Sequence, residues 1–212
     1  MLLHGLARSC SAMSTMEKAL QQAGYETVNL AYSSRKKTIE EIAGQDFIRG
    51  VIFCERKGAA KIHFVTHSMG GIIVRLGLKT NRPPNLGRVV MLAPPNHGSF
   101  VTDRLRGWWF YTWLNGPAGQ QLGTEPESLP NRLGPADYPV GIIAADDWAF
   151  FDAWFASFTD KPNDGKVTVE SARLEGMTDF LVVPETHPFI MNSAQVIGQT
   201  IYFLRKGTFR HP

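Results

Sequence analysis

The stretch Val65-Thr66-His67-Ser68-Met69-Gly70-Gly71 decides how the rest of the chain reads. The apolar run Ile62 to Thr66 predicts a buried strand, and Met69 to Leu78 predicts a helix that starts directly after the serine. A serine on such a strand–turn–helix corner is lifted clear of the sheet edge, as in a nucleophile elbow, provided its neighbours are small. Gly70 and Gly71 meet that need behind Ser68, whereas Thr66 stands where glycine is usual and is expected to crowd the turn. The helix N-terminus adds free N–H groups that favour developing negative charge. A serine that merely caps a helix is the plainer alternative.

Outward from this corner, short apolar runs alternate with longer amphipathic ones, which predicts βα units on a parallel sheet. The predicted strands are Met1 to His4, Thr27 to Tyr32, Ile62 to Thr66, Val89 to Ala93, Val140 to Ala145 and Phe180 to Val183. Predicted helices cover Met13 to Ala23, stopped by Gly24, and a run from the capping box at Thr38-Ile39-Glu40-Glu41 to Lys57. Two more cover Met69 to Leu78 and Ile190 to Leu204. The expected fold is α/β, one domain over residues 1–212 with a compact, mainly parallel six-stranded sheet flanked by helices. Residues 94–139 break the rhythm, rich in Gly and Pro and carrying Trp108, Trp109, Phe110, Tyr111 and Trp113. A connection of that length is usually functional, and we read it as a cap over a site.

Composition narrows the classes. Of 212 residues 43% are hydrophobic and only 19% charged, which suits a packed core and excludes disorder. The net charge of +3 is spread along the chain, so no nucleic-acid partner is expected. Cys10 and Cys54 are too few for a disulfide scaffold, no apolar run reaches membrane-span length, and no signal segment is visible. These features lead to the expectation of a cytoplasmic location.

A serine needs a base. Of His4, His63, His67, His97, His187 and His211, only His97 and His187 sit where a base could act. His63 lies within a strand, His67 within the elbow, His211 in a tail, and His4 beside its own turn. His187 follows the last strand at the sheet edge where sites in open α/β sheets lie, whereas His97 reads as a loop histidine bonded to backbone. The base in turn needs a carboxylate. Asp164, in Asn163-Asp164-Gly165-Lys166-Val167, gives the chain order Ser, Asp, His, but Asn-Asp-Gly is also a plain turn, and Asp146 and Asp147 compete. Leu2-Leu3-His4-Gly5-Leu6 ends another strand, where the Leu6 amide could join that of Met69 as donors to an oxyanion.

Four stretches together carry a likeness. Leu2 to Arg8, Thr66 to Gly71, Asn163 to Val167 and Glu185-Thr186-His187 resemble the corresponding motifs of bacterial α/β-hydrolases of the lipase/esterase superfamily. The resemblance implies Ser68 as nucleophile, Asp164 rather than Asp147 as acid, His187 as base, and the Leu6 and Met69 amides as oxyanion hole. The two strands that open larger members have no counterpart, as in compact lipases. Chemistry of that kind needs no cofactor and no metal, and the calcium ligands of some lipases find no match here. The expected partner is a small ester or lipid substrate. Trp108, Trp109 and Trp113 are candidates for an acyl pocket. Without an evident long lid helix, the reading favours an esterase for short to medium acyl chains. A triacylglycerol lipase, a thioesterase, an acyltransferase and a non-catalytic ligand-binding protein are the alternatives.

Overall fold

A computed structural model of the chain describes residues 1–211. Six parallel strands form one sheet in the order β2-β1-β3-β4-β5-β6: β1 (Leu2–Leu3), β2 (Asn29–Leu30), β3 (Ile62–His67), β4 (Leu86–Leu92), β5 (Val140–Asp147) and β6 (Asp179–Thr186). All six predicted strands are present, with shifted ends. β1 and β2 are only two residues each, and both stop short of the C-terminal ends of the predicted runs. At one such end the His4 ring bonds the Gly5 carbonyl, and at the other the Tyr32 hydroxyl donates to the His4 carbonyl.

Alternation along each strand puts successive side chains on opposite faces, and both faces are covered. Leu3, Phe64, Met91 and Ile142 pack on one side against the helices that follow β2 and β3. Leu2, Val65, Val90, Ile143 and Val183 pack on the other with Met16, Leu20, Val196 and Phe203. Those four come from α1 (Ser14–Gln22) and the C-terminal helix. The capping box at Thr38 forms as the sequence implies and opens α2 (Ile39–Glu41). That helix widens into a π segment at Ile42–Phe47 before continuing as α3 (Ile48–Arg56).

From β1 the chain steps outward to β2, then crosses back to β3, so the connections diverge between the neighbours β1 and β3. In an open parallel sheet the crevice at the C-terminal ends of two such strands is where ligands bind. β3 ends at His67, and α4 (Met69–Thr80) follows at once.

Residues 94–139 fold onto this edge with three helices, α5 (Phe100–Leu105), α6 (Trp109–Gln120) and α7 (Leu129–Arg132). The helical run is broken at Gly116, with φ 64°, just before Pro117. There the backbone passes so close to the Arg35 carbonyl that no Cβ would fit. Arg75 of α4 ties the segment down. Its guanidinium, pushed down to about 10 by burial, donates to the Asn96 carbonyl at 2.9 Å and the Gly134 carbonyl at 2.8 Å. Beyond β5 come α8 (Ala153–Ala156) and α9 (Val169–Ala172), and after β6 the chain closes with α10 (Ala194–Lys206), stopped by Gly207 at φ 86°. Among the described residues no helix is long and apolar enough to cross a membrane.

Candidate active site

Among the described residues, non-glycine residues with positive φ occur at three places, Ala7 (54°), Ser68 (53°) and Ala93 (47°). Each lies just beyond the C-terminal end of a strand, β1, β3 or β4, on one edge of the sheet. Backbone held in that region costs about 1–3 kcal/mol per residue and persists where the surroundings enforce it. Around Ser68 the enforcement is visible. A Cβ on Gly70 would lie 2.7 Å from the Leu3 carbonyl oxygen, and one on Gly5 would lie 3.1 Å from the Ser68 Cβ. The missing side chains thus let α4, the loop after β1 and the serine approach one another. Thr66, expected to crowd the turn, is fully buried, and its Oγ1 lies 3.5 Å from where a Cβ on Gly71 would stand. That is an ordinary contact distance, so Thr66 fits the turn without crowding it, and the closer neighbours of Gly71 are Pro94 and Met91.

The structure brings three of the predicted residues into one chain of hydrogen bonds. Ser68 Oγ lies 3.0 Å from His187 Nε2, and His187 Nδ1 lies 2.7 Å from Asp164 Oδ2. Asp164 is 1% exposed, and its second oxygen accepts the Lys166 and Val167 amides at 3.0 and 2.8 Å. A carboxylate can only accept, so Nδ1 carries the proton and Nε2 offers its lone pair to the serine hydroxyl. Asp146 and Asp147 stay exposed at the end of β5. Asp147 Oδ1 accepts the neighbouring Trp148 amide at 2.8 Å, and neither carboxylate reaches His187.

The loop after β1 closes over the serine. Leu6 faces the same cavity as Ser68, and among the described residues its amide donates to no acceptor. Met69, the first residue of α4, has an amide that helix geometry leaves without an intrahelical partner. The loop is held from behind, where Tyr32 stacks on the His4 ring at 3.9 Å and Ser34 Oγ accepts the Ala7 amide at 3.0 Å.

A cavity of about 280 Å³ opens above Ser68, walled on one side by Val101, Leu105, Phe110, Tyr111 and Leu114. Trp108, Trp109 and Trp113 do not line it and stand in solvent, Trp109 81% and Trp113 71% exposed. Helix phase accounts for the difference. Phe110, Tyr111 and Leu114 share the inner face of α6, while Trp109 and Trp113, four apart, share the outer one.

No family profile and no curated protein matches the chain in sequence. Solved structures do match. Lipase BlEst2 of Bacillus licheniformis, in its mature form, superposes with a TM-score of 0.71 at 20% identity, over 96% of this chain and 90% of that one. Phospholipase PlaB of Legionella pneumophila gives a TM-score of 0.75 at 18% identity over 97% of this chain, which spans 58% of the phospholipase. The metagenomic carboxyl esterase MGS0156 gives 0.67 at 18% identity, over 89% and 64% of the two chains. The fold is that of the α/β-hydrolases.

On this α/β-hydrolase sheet the remaining histidines have local roles. His67 is the least expected. Its Nε2 lies 3.0 Å from the His187 carbonyl oxygen, so that nitrogen donates and the buried Nδ1 is left without a partner. Burial first, and the neighbouring His187 ring second, hold His67 well below the usual histidine range, so it stays neutral. His97 bonds the Asn131 side chain at 2.8 Å rather than backbone, and His211 in the tail is tied to Asp179 at 2.9 Å. His63 accepts the Arg88 amide at 2.8 Å. Sequence reasoning missed Asp152, whose buried carboxylate meets the Lys166 ammonium at 2.5 Å and so holds the turn that carries Asp164. No local pattern signals that pair, since its partners belong to separate loops.

Proposed function

We propose that the chain is a serine-dependent carboxylic-ester hydrolase acting on short- to medium-chain acyl esters. The observation that carries this reading is the hydrogen-bonded series Ser68–His187–Asp164 at the mouth of an apolar cavity. Ser68 attacks the ester carbonyl as His187 Nε2 takes the hydroxyl proton, and Asp164 stabilises the imidazolium that results. Negative charge gathers on the carbonyl oxygen in front of the Leu6 and Met69 amides, preorganised donors of the kind acyl transfer requires. His187 then returns the proton to the departing alcohol. Water, deprotonated by the same ring, hydrolyses the acyl-enzyme and frees the acid and Ser68. Residues 94–139 act as a cap that supplies the apolar wall.

Three fold neighbours point the same way by their names, a lipase, a phospholipase and a carboxyl esterase. The cavity of about 280 Å³ lies just below the roughly 300–1,000 Å³ range of ligand pockets, which favours shorter acyl chains. The free thiols Cys10 and Cys54 suit a reducing, cytoplasmic compartment. A lipase is the second reading, favoured by the exposed Trp109 and Trp113 beside the cavity.

Hydrolysis of 4-nitrophenyl esters from acetate to palmitate, with Ser68→Ala alongside, tests the proposal. We expect turnover that peaks at short or medium chains and vanishes in the variant. Activity surviving in Ser68→Ala would sink it, and a palmitate optimum would favour the lipase.

A further inference from the structure

The cavity wall holds two cationic side chains, Arg8 and Lys166, and no Asp or Glu. They are not equivalent. Lys166 is engaged, 2.5 Å from Asp152 and stacked over the Phe155 ring at 3.7 Å. Arg8 is exposed and forms no salt bridge among the described residues, and its one polar contact is to the Pro188 carbonyl at 3.4 Å. Most of its five N–H donors are therefore free, in a planar fork that matches phosphate or carboxylate oxygens. The chain delivers it there by design of the loop. Ala7 is held at φ 54° with its amide on Ser34, which fixes the direction in which Arg8 leaves the backbone.

We propose that Arg8 binds an anionic group on the alcohol half of the substrate, so that the preferred substrates are acyl esters of phosphate- or carboxylate-bearing alcohols. This rests on the reading of Ser68 and His187 given above. His187 Nε2 hands its proton to the departing oxygen, so the alcohol lies on the His187 side of Ser68. Pro188, which Arg8 contacts, is the next residue along that side. The apolar wall formed by Val101, Leu105, Phe110 and Leu114 is left for the acyl chain.

The test compares kcat/KM for the butyrate esters of glycerol, glycerol 3-phosphate and glycerate, which share one acyl group and one ester position. With the native chain we expect at least one charged ester to exceed the neutral one by about 10- to 100-fold, the range of a charge-assisted hydrogen-bond pair. Which of the two leads distinguishes phosphate from carboxylate. In Arg8→Gln that ratio should fall towards one, and Arg8→Lys, a point charge without the fork, should retain part of it. Equal rates on all three esters overturn the proposal. So does a proportional loss on all three in Arg8→Gln, which would make Arg8 only a prop for the His187 loop. Turnover that persists in Ser68→Ala overturns instead the serine reading on which the proposal stands.

Discussion

The two walls of the cavity are built on different principles. On the sheet side, Ser68, His187 and Asp164 are buried and joined in one hydrogen-bonded series, with Ser68 and His187 directly after the ends of β3 and β6 and Asp164 in the connection from β5 to β6. On the other side, residues 100–115 and 150–158 present exposed aromatics to solvent, Trp109 and Trp113 among them and Phe150 94% exposed. The first wall is fixed by backbone geometry and glycine contacts, and the second by packing of side chains on short helices. On the function proposed above, chemistry that tolerates little displacement would sit on the rigid wall, and choice of substrate would fall to the adaptable one.

The sharpest way to break this contrast is at the rigid wall. Asp164→Asn should lower kcat by about 10⁴-fold, because the amide favours the wrong tautomer of His187. Asp147→Asn should change steady-state hydrolysis little, and the opposite ranking would mean that another carboxylate serves the base. Next in size, Gly70→Ala should cost about 100-fold in kcat, since its Cβ would meet the Leu3 carbonyl oxygen at 2.7 Å and shift the serine against the loop after β1. Wild-type kcat in that variant would show that the close approach is not needed.

A pH measurement comes third. His67 is held well below, and His63 at about 4 against an ordinary 6.5. The unfolded chain binds protons below 6.5 that the folded chain refuses, so this part of the stability is complete above pH 6.5 and falls as the medium acidifies. Buried His67 contributes a slope of up to about 1.4 kcal/mol per pH unit, and the partly exposed His63 less, because solvent screens it. Urea unfolding at pH 7 and pH 5 should show the drop, and His67→Asn should make it shallower. A stability independent of pH over that interval would contradict the neutral His67. The smallest effects belong to the adaptable wall. With a soluble 4-nitrophenyl butyrate, Phe110→Ala or Leu114→Ala should raise KM by about 3- to 10-fold through lost apolar contact. Trp109→Ser and Trp113→Ser should hardly move it, and a larger rise in these two would place them in contact with substrate.

Much of the rigid wall was legible in sequence because its chemistry demands local patterns. A serine between a β run and a glycine pair can be read within seven residues, and the strand–helix alternation announces the parallel sheet. Asp164 was less so. Its Asn-Asp-Gly setting is also an ordinary turn, and what separates it from Asp147 is a 2.7 Å contact across space. The adaptable wall was read least well. Gly116 and Pro117 split the α6 run into two short helices, too short for their period to show which of the aromatics faces inward. The buried Arg75, the Asp152–Lys166 pair and the π segment at Ile42–Phe47 left no sequence signal, for the first two depend on partners far along the chain and the third on how a helix fits its neighbours.

The break in α6 has a mechanical consequence. Beyond Gly116 the helix is anchored, with its backbone pressed on the Arg35 carbonyl, while residues 109–115 reach outward past a point where Pro117 offers no N–H to carry the helical bonding across. The two halves of α6 are thus held differently, the first by side chains alone, through the Tyr111 hydroxyl on Thr102 and Arg35 on the Trp113 carbonyl, and that half carries both the inner face that walls the cavity and the outer tryptophans. Its amides should exchange with deuterium sooner than those of residues 118–120, and whatever loads the tryptophans from outside will be felt at Phe110 and Leu114 inside.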